Sequence, residues 1–193
     1  MTANPSARVA GAESAEAVAA TRRWIERVVI GLNLCPFARA PFVHERVRLT
    51  VSAAREADDL LDDLRRELCE LRDSDPQVCE TTLLIHPYVL QDFFAYNDFL
   101  DRADHAIESL GLESDFQIAS FHPAYQFADV DFDAVENYTN RSPYPMLHLL
   151  RESSVARAIA KMADTDDIYR RNIQMLRELG ISGLRAVIDA GSP

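Results

Sequence analysis

The segments ETTLLIHP at residues 80–87 and FQIASFHP at residues 116–123 decide the fold of this chain. Each is a short apolar run that ends in the dipeptide His-Pro. The run Thr81–Ile85 is apolar on both faces, which is typical of a central strand that is covered on both sides. The run Phe116–Phe121 has the length and composition of another strand. The two segments therefore predict two strands that end in the same way.

The segments around these strands alternate between strand and helix patterns. Val47, Leu49 and Val51 alternate with polar residues, which predicts a half-buried strand. Trp24 and Val28 lie four residues apart and predict a helix that begins near a Ser14 cap and ends before Cys35-Pro36. Two more helices follow from apolar residues at helical spacing: Leu60, Leu64, Leu68 and Leu71, and then Phe93, Tyr96, Leu100, Ala103, Ile107 and Leu110.

The C-terminal third begins with a long polar stretch, residues 124–144, that is rich in aromatic residues. Loops of this length are uncommon in compact domains unless they are functional or disordered, and its aromatic residues indicate a packed loop. Pro145 suits the first turn of a helix, which we predict to run to about Met162. A further helix is predicted over residues 167–179, and residues 184–188 fit a fourth strand or a helical turn equally well.

Alternation of strands and helices favours a parallel sheet. We therefore predict an α/β fold with a small, mostly parallel sheet of three to four strands, flanked by helices in two or three layers. The length of 193 residues fits one domain, at residues 14–190. Residues 1–13 are small and polar, so we expect a flexible N-terminal tail.

The composition excludes several classes of function. The net charge of -11 would repel nucleic acid and anionic membranes, because affinity for both depends on Lys and Arg. The three cysteines are an odd number without a CxxC spacing, which favours reduced thiols in a cytosol. The N-terminus lacks the apolar core of a secretory signal, and no apolar run is long enough to span a membrane. We therefore expect a cytoplasmic protein.

His86 and His122 are the first candidates for function, since each directly follows a predicted strand. Ligands of open parallel sheets bind beyond the carboxyl ends of the strands, where both imidazoles would lie. Two such histidines could act as general acid and base or bind a divalent metal ion. In the alternative interpretation, His-Pro ends a strand and each imidazole bonds to a loop carbonyl.

Cys35 is a candidate nucleophile or third metal ligand. A thiolate nucleophile needs a lowered pKa, from a cation, a metal or a helix N-terminus. Cys35 is instead predicted at a helix C-terminus, where the macrodipole opposes negative charge. A buried structural thiol is the alternative.

The segment ENYTNRSPYP at residues 136–145 is a candidate site for a small anionic ligand. It combines hydrogen-bonding groups with one cation, directly before a predicted helix N-terminus. The candidate ligand-binding residues of the loop are Asn137, Asn140, Arg141, Ser142 and Tyr125. The alternative is an elaborate capping loop without a ligand.

Several long motifs resemble a known family, the bacterial domain of unknown function 1415. The resemblance extends over about residues 24–179 and implies no reaction, cofactor or catalytic residue. The motifs that carry it are LNLCPFA at 32–38, ETTLLIHP at 80–87, YNDFLD at 96–101, FQIASFHPAYQF at 116–127 and ENYTNRSPYPMLHLLRE at 136–152.

Two functions follow as hypotheses. The first is a small-molecule enzyme that uses His86 and His122, in a metal-dependent or a metal-free form, with Arg141 holding the substrate. The second is a non-catalytic binding or adaptor protein that uses the aromatic loop 124–145 as a partner surface. A concave pocket with converging polar groups would favour the enzyme, and a flat exposed aromatic patch would favour the adaptor.

Overall fold

The computed structural model describes residues 5–160 and 166–189 of the chain. In chain order the elements are α1 (Pro5–Trp24), a π-helix (Ile25–Ile30), α2 (Arg39–Val43), β1 (Val47–Val51), α3 (Ala57–Asp73), β2 (Thr81–Ile85), α4 (Phe93–Ser109), β3 (Phe116–Phe121), a 3₁₀-helix (Val135–Thr139), β4 (Met146–Arg151), α5 (Glu152–Ile159) and α6 (Asp166–Asp189). The α/β class and the three strands predicted from the sequence are confirmed.

The sheet is mixed, so the prediction of a mostly parallel sheet is wrong. The strand order is β1-β2-β4-β3, in which β1 and β2 are parallel and β4 is antiparallel to both of its neighbours. Because β4 lies between β2 and β3, those two strands run in the same direction without pairing to each other. The strands β1, β2 and β3 therefore run in the same direction, as the alternating pattern indicates, but the antiparallel strand β4 lies between β2 and β3.

The strand β4 replaces the first half of the helix predicted from Pro145 to Met162. Short apolar runs such as Met146-Leu147-His148-Leu149-Leu150 fit a buried strand as well as a buried helix. As a strand, this run pairs along both edges, with β2 and with β3, and so satisfies its backbone groups on both sides. The helix α5 follows directly after it, and Met162 lies outside the described residues.

Both termini differ from the predicted boundaries. The helix α1 begins at Pro5, so the expectation that Ser14 caps it is wrong, and residues 1–4 of the predicted tail lie outside the described residues. At the other end, the predicted helix 167–179 is confirmed within α6. Gly180 has φ +65° and interrupts that helix, and residues 184–188 are helical rather than a strand.

The core has two halves, one on each face of the sheet. Leucines of α3 and residues of α4, including Tyr96 and Phe99, cover one face, against Leu84 and Leu147. The opposite face, with Leu83, Ile85 and Met146, packs against residues of α1, the π-helix and α6: Trp24, Ile25, Val28, Leu176 and Leu184. Full burial of one such aliphatic side chain is worth about 1.5–3 kcal/mol, so helices on both faces stabilise the sheet. Within the described residues, no helix is both long and apolar enough to cross a membrane.

Candidate functional site

His86 and His122 lie at the same end of the sheet, as the sequence predicts. Ile85 and Phe121, which precede them, both pair with Met146 at the start of β4. The His86 amide donates to the carbonyl of Pro145 at 3.0 Å, and the His122 amide donates to the carbonyl of Asn140 at 3.2 Å. The two histidines therefore flank the segment that leads into β4.

Tyr96 of α4 connects the two imidazoles, although the sequence pattern indicates for it only a place among the apolar positions of a helix. Its ring centroid lies 5.7 Å from that of His86 and 5.1 Å from that of His122. Its hydroxyl donates to the Met146 carbonyl at 2.9 Å and accepts from the Phe121 amide at 3.1 Å. Burial raises the pKa of this phenol, so Tyr96 is neutral and joins the ends of β3 and β4.

His122 is held in one neutral tautomer by two backbone groups. The Ala124 amide donates to its Nδ1 at 3.0 Å, so that nitrogen carries a lone pair. Its Nε2 lies 3.2 Å from the carbonyl of Leu90, which can only accept, so Nε2 carries the proton. Burial lowers the pKa of His122 and favours this neutral form. The single lone pair of the ring is therefore already used, and none is left for a metal ion.

His86 is completely buried. Unlike both ring nitrogens of His122, one of its ring nitrogens has no hydrogen-bond partner in the described chain. Its Nδ1 donates to the carbonyl of Val89 at 3.0 Å, which leaves a lone pair on Nε2. That Nε2 is buried without a hydrogen-bond partner in the described part of the chain. Burial lowers the pKa of His86 to about 4, against the effect of the Val89 hydrogen bond. His86 is thus a neutral base in the interior near pH 7.

Arg141 holds its own loop together. Its Nε donates to the carbonyl of Tyr125 at 3.1 Å, and its Nη2 donates to the carbonyl of Phe132 at 2.6 Å. The guanidinium carbon lies 4.6 Å from the ring centroid of Phe132 and 4.7 Å from that of Tyr138. These contacts make Arg141 the centre of a packed loop. The helix N-terminus expected after this loop is absent, because strand β4 begins at Met146, so that part of the prediction is wrong.

Asn137 also bonds within this loop. Its Oδ1 accepts from the Phe127 amide at 3.0 Å, and its Nδ2 donates to the carbonyls of Asp131 and Phe132, at 2.8 and 3.0 Å. Asn137 is wholly buried, so these bonds satisfy groups that water does not reach.

The remaining loop candidates are engaged as well. The Nδ2 of Asn140 donates to the carbonyl of Ser120 at 3.1 Å, and the hydroxyl of Ser142 donates to the carbonyl of Tyr144 at 2.7 Å. The ring of Tyr125 packs against that of Phe93, with 5.3 Å between the ring centroids. The polar residues proposed for an anionic ligand thus bond mainly to backbone carbonyls of the loop and of β3.

A cleft of about 450 Å³ lies on the other face of the sheet, and we call it the Cys35 cleft. It is bounded by the end of the π-helix, the segment after β3 and the start of α6. The described residues that line it are Val29, Leu34, Cys35, Phe121, Phe127, Thr139, Asn140, Ile168, Tyr169 and Asn172.

A second depression, of about 530 Å³, is lined by residues of α6: Arg170, Ile173, Gln174, Arg177 and Glu178. Its lining comes from one helix, so it is a groove along a surface. It does not bring groups from different elements together, as the Cys35 cleft does.

The π-helix shapes one wall of the Cys35 cleft. Just after it, the Leu34 amide donates to the carbonyl of Val29 at 2.9 Å, which continues a π-helical spacing that is rare and occurs frequently at functional sites. Asn33 then takes a left-handed conformation, with φ +52°. From α6, Asn172 donates to the Leu34 carbonyl at 2.7 Å and Arg171 donates to the Asn33 carbonyl at 3.0 Å. The two side chains of α6 therefore fix the turn that carries Cys35.

Gly31 is required by this turn. A Cβ atom at this position would lie 2.1 Å from the carbonyl oxygen of Arg27, which is backbone and cannot rotate away. The dihedral angles of Gly31 are ordinary for a helix, so the requirement comes from close approach rather than from a positive φ.

Cys35 and Asn172 are two of the polar side chains that line the Cys35 cleft. Burial raises the pKa of the Cys35 thiol, and hydrogen bonds from the backbone at Phe37 and Ala38 offset this only in part. The thiol is therefore neutral near pH 7. Asn172 is 7% exposed, and its Oδ1 is buried without a hydrogen-bond partner among residues 5–160 and 166–189.

Cys35 and the two histidines do not share a site. Phe121 lines the Cys35 cleft, and its ring centroid lies 5.3 Å from that of Trp24 of α1. The next residue, His122, instead contacts the rings of Phe93 and Tyr96 of α4. Successive residues at a strand end point to opposite faces of a sheet, and these contacts follow that rule. In the described residues no group of three or more His, Cys, Asp or Glu side chains is arranged to hold a metal ion.

Comparison with known proteins identifies the family of the chain. No curated protein and no solved structure matches it. A family model described as "Protein of unknown function (DUF1415)" matches residues 16–186, which is most of the chain. The resemblance seen in the motifs is thus confirmed, and the chain belongs to the DUF1415 family.

Proposed function

We propose that this protein binds a small organic molecule in the Cys35 cleft. The supporting observation is the Oδ1 of Asn172, a buried acceptor that has no partner within the described ranges. Leaving such a group unsatisfied costs about 1–3 kcal/mol, and an occupant that donates to it would recover that energy. The volume of about 450 Å³ falls in the range of small-molecule sites, about 300–1,000 Å³.

The proposed role of Cys35 is to form part of the wall of this site. A nucleophilic cysteine needs a cation or a helix N-terminus to lower its pKa, and burial raises the pKa of this one. The described residues that line the cleft include no Lys, Arg or His. The environment of Cys35 therefore supports binding more strongly than covalent catalysis.

Cleft occupancy can be measured with Cys35 as the reporter. In a Cys69→Ser, Cys79→Ser background, Cys35 is the remaining thiol, and its alkylation by N-ethylmaleimide can be followed by mass spectrometry. We expect fragments that bind to slow this alkylation. The variant Val29→Trp should fill the cleft and abolish the protection by fragments.

The matched control is Val43→Trp, which adds the same ring at a site that is 65% exposed and outside the cleft. Thermal unfolding of both variants would verify that they are folded. Fragment binding that survives Val29→Trp, or a fragment library from which nothing protects Cys35, would contradict the proposal.

A second candidate function is acid/base catalysis at the end of the sheet. The observation that favours it is the Nε2 of His86, a buried basic nitrogen without a partner in the described chain, 5.7 Å from Tyr96 between ring centroids. The metal-dependent form can be tested by elemental analysis of untagged protein purified without chelator. A stoichiometric divalent metal that is lost in His86→Ala would support it, and its absence from the wild-type protein would contradict it.

A further inference from the structure

We infer that the ligand of the Cys35 cleft is an uncharged molecule that joins an apolar ring or chain to an N–H or O–H donor. This inference rests on the proposed binding function and specifies the chemistry of the ligand. It follows from the apolar walls of the cleft, the unpaired acceptor of Asn172 and the lack of charged side chains in the described lining.

The walls of the cleft are largely apolar and come from three separate parts of the chain. Three of the lining side chains are aromatic, and such rings bind flat apolar groups by stacking or by edge-to-face contact. The apolar and aromatic lining residues are Val29, Leu34, Phe121, Phe127, Ile168 and Tyr169.

The lining side chain of Asn172 has one atom without a hydrogen-bond partner in the described chain, and that atom is an acceptor. The orientation of the Asn172 amide is fixed because its nitrogen faces the carbonyl of Leu34, which can only accept. Its Oδ1 must therefore be the atom without a partner in the described part of the molecule. By contrast, the amide nitrogen of Asn140 already donates to the carbonyl of Ser120. A ligand that satisfies the Asn172 oxygen has to bring a proton donor.

The cleft offers no compensation for a charged ligand. Its described lining has no Lys, Arg, His, Asp or Glu, and burial of an unpaired charge is far more costly than burial of a neutral group. Among the cations on neighbouring segments, Arg171 donates to the Asn33 carbonyl and Arg141 donates to carbonyls of its own loop. The ligand of this cleft is therefore uncharged.

Three isosteric probes test the inference: benzamide, acetophenone and benzoate. Benzamide is neutral and carries a donor, acetophenone is neutral and has a methyl group in its place, and benzoate is anionic. Titrations of the wild-type chain, followed by amide NMR shifts at Leu34 and Cys35, would give the three affinities. We expect benzamide to bind about fivefold to tenfold more tightly than acetophenone, which is the usual effect of one buried hydrogen bond. Benzoate should bind no better than acetophenone.

Two variants of Asn172 identify the acceptor. Asn172→Ala should remove the preference for benzamide over acetophenone, and Asn172→Asp should add a preference for the cationic isostere benzamidinium. Gln174→Ala is the control on the same helix, because Gln174 is exposed and lies outside the cleft. The gain of benzamidinium binding in Asn172→Asp keeps the test informative even if Asn172→Ala is unstable.

The outcomes separate this inference from the function on which it rests. Equal binding of benzamide and acetophenone at this cleft would overturn the donor requirement and leave the binding function standing. Tightest binding of benzoate would overturn the uncharged ligand. If none of the probes shifts the Leu34 or Cys35 amides, the inference fails, and protection of Cys35 by other fragments then decides whether the binding function fails with it.

Discussion

The hydroxyl of Tyr96 donates a hydrogen bond to the carbonyl of Met146 at 2.9 Å, and this bond attaches helix α4 to the first residue of β4. The same oxygen accepts from the amide of Phe121, the partner of Met146 in the ladder. One side chain therefore closes the end of the β3–β4 pair beside both histidines.

Tyr96→Phe should destabilise the protein by about 1–3 kcal/mol, because it leaves a buried carbonyl and an amide without their shared partner. Urea unfolding followed by circular dichroism would measure the change. Tyr169→Phe removes a hydroxyl from a residue that is 51% exposed and should change the free energy of unfolding by less than about 0.5 kcal/mol. Equal effects of the two substitutions would show that the Tyr96 hydroxyl is not a structural link.

The stability of the protein should fall as the pH decreases from about 6.5 to about 4, because His86 is buried in its neutral form. An unfolded chain binds a proton at His86 near pH 6.5, whereas the folded chain does so only near pH 4, so protonation favours unfolding in this window. The effect of His86 alone is on the order of 3 kcal/mol at the acid end.

His86→Phe should flatten this dependence of the unfolding free energy on pH, as measured by urea titrations at several pH values. Burial also lowers the pKa of His148 to about 4, so part of the slope should remain in the variant. Val78→Phe is the control, since it adds the same ring at a residue that is 72% exposed and removes no titratable group, and it should keep the slope of the wild-type protein. An unchanged slope in His86→Phe would contradict the assignment of this effect to His86.

Gly31→Ala should destabilise the protein by about 1–3 kcal/mol, because the added Cβ would meet the Arg27 carbonyl oxygen at 2.1 Å. The turn that carries Leu34 and Cys35 would have to shift, so the alkylation rate of Cys35 should change as well. Gly11→Ala is a matched control within helix α1, where an added Cβ meets nothing within 4 Å. That control should be neutral or stabilise the helix by up to about 1 kcal/mol.

Arg141→Lys should loosen the loop 124–145 although it keeps the positive charge. Lysine cannot reproduce the two directed bonds to the carbonyls of Tyr125 and Phe132. Hydrogen exchange at the amides of Phe127 and Arg141 should become faster, and Arg157→Lys, on the exposed face of α5, should leave both rates unchanged. Normal exchange in Arg141→Lys would indicate that charge alone orders the loop.

The sequence predicts the three strands of like direction because each has a local pattern that ends in a turn or His-Pro. It does not predict β4, since Met146–Arg151 is an apolar run that both a helix and a strand accommodate. Its place between β2 and β3 is decided by pairing with distant segments, which no local pattern contains. The position of both histidines at one end of the sheet is nevertheless predicted, because their strands run in the same direction.

The Cys35 cleft is harder to predict from the sequence than the position of the two histidines at one end of the sheet. The bond from Asn172 to the Leu34 carbonyl joins residues that are 138 positions apart. Asn172 lies inside a predicted helix with no feature that singles it out, and the π-helix has no signature in a 3.6-residue periodicity. A local signal does exist in Gly31 followed by Cys35-Pro36, which indicates a tight turn at the end of a helix.

The position of β4 in the sheet also determines when the fold can be completed during synthesis on the ribosome. The strands β1 and β2 are parallel neighbours and precede the others in the chain, so they can pair early. The strand β3 is an edge strand whose neighbour in the described sheet is β4, which is made after it. Until residue 151 has left the ribosome, β3 has an unpaired backbone and β2 an open edge, both of which invite association with other chains. The strand order therefore leaves one edge of β2 and the whole of β3 without their partner on every nascent chain that ends before β4.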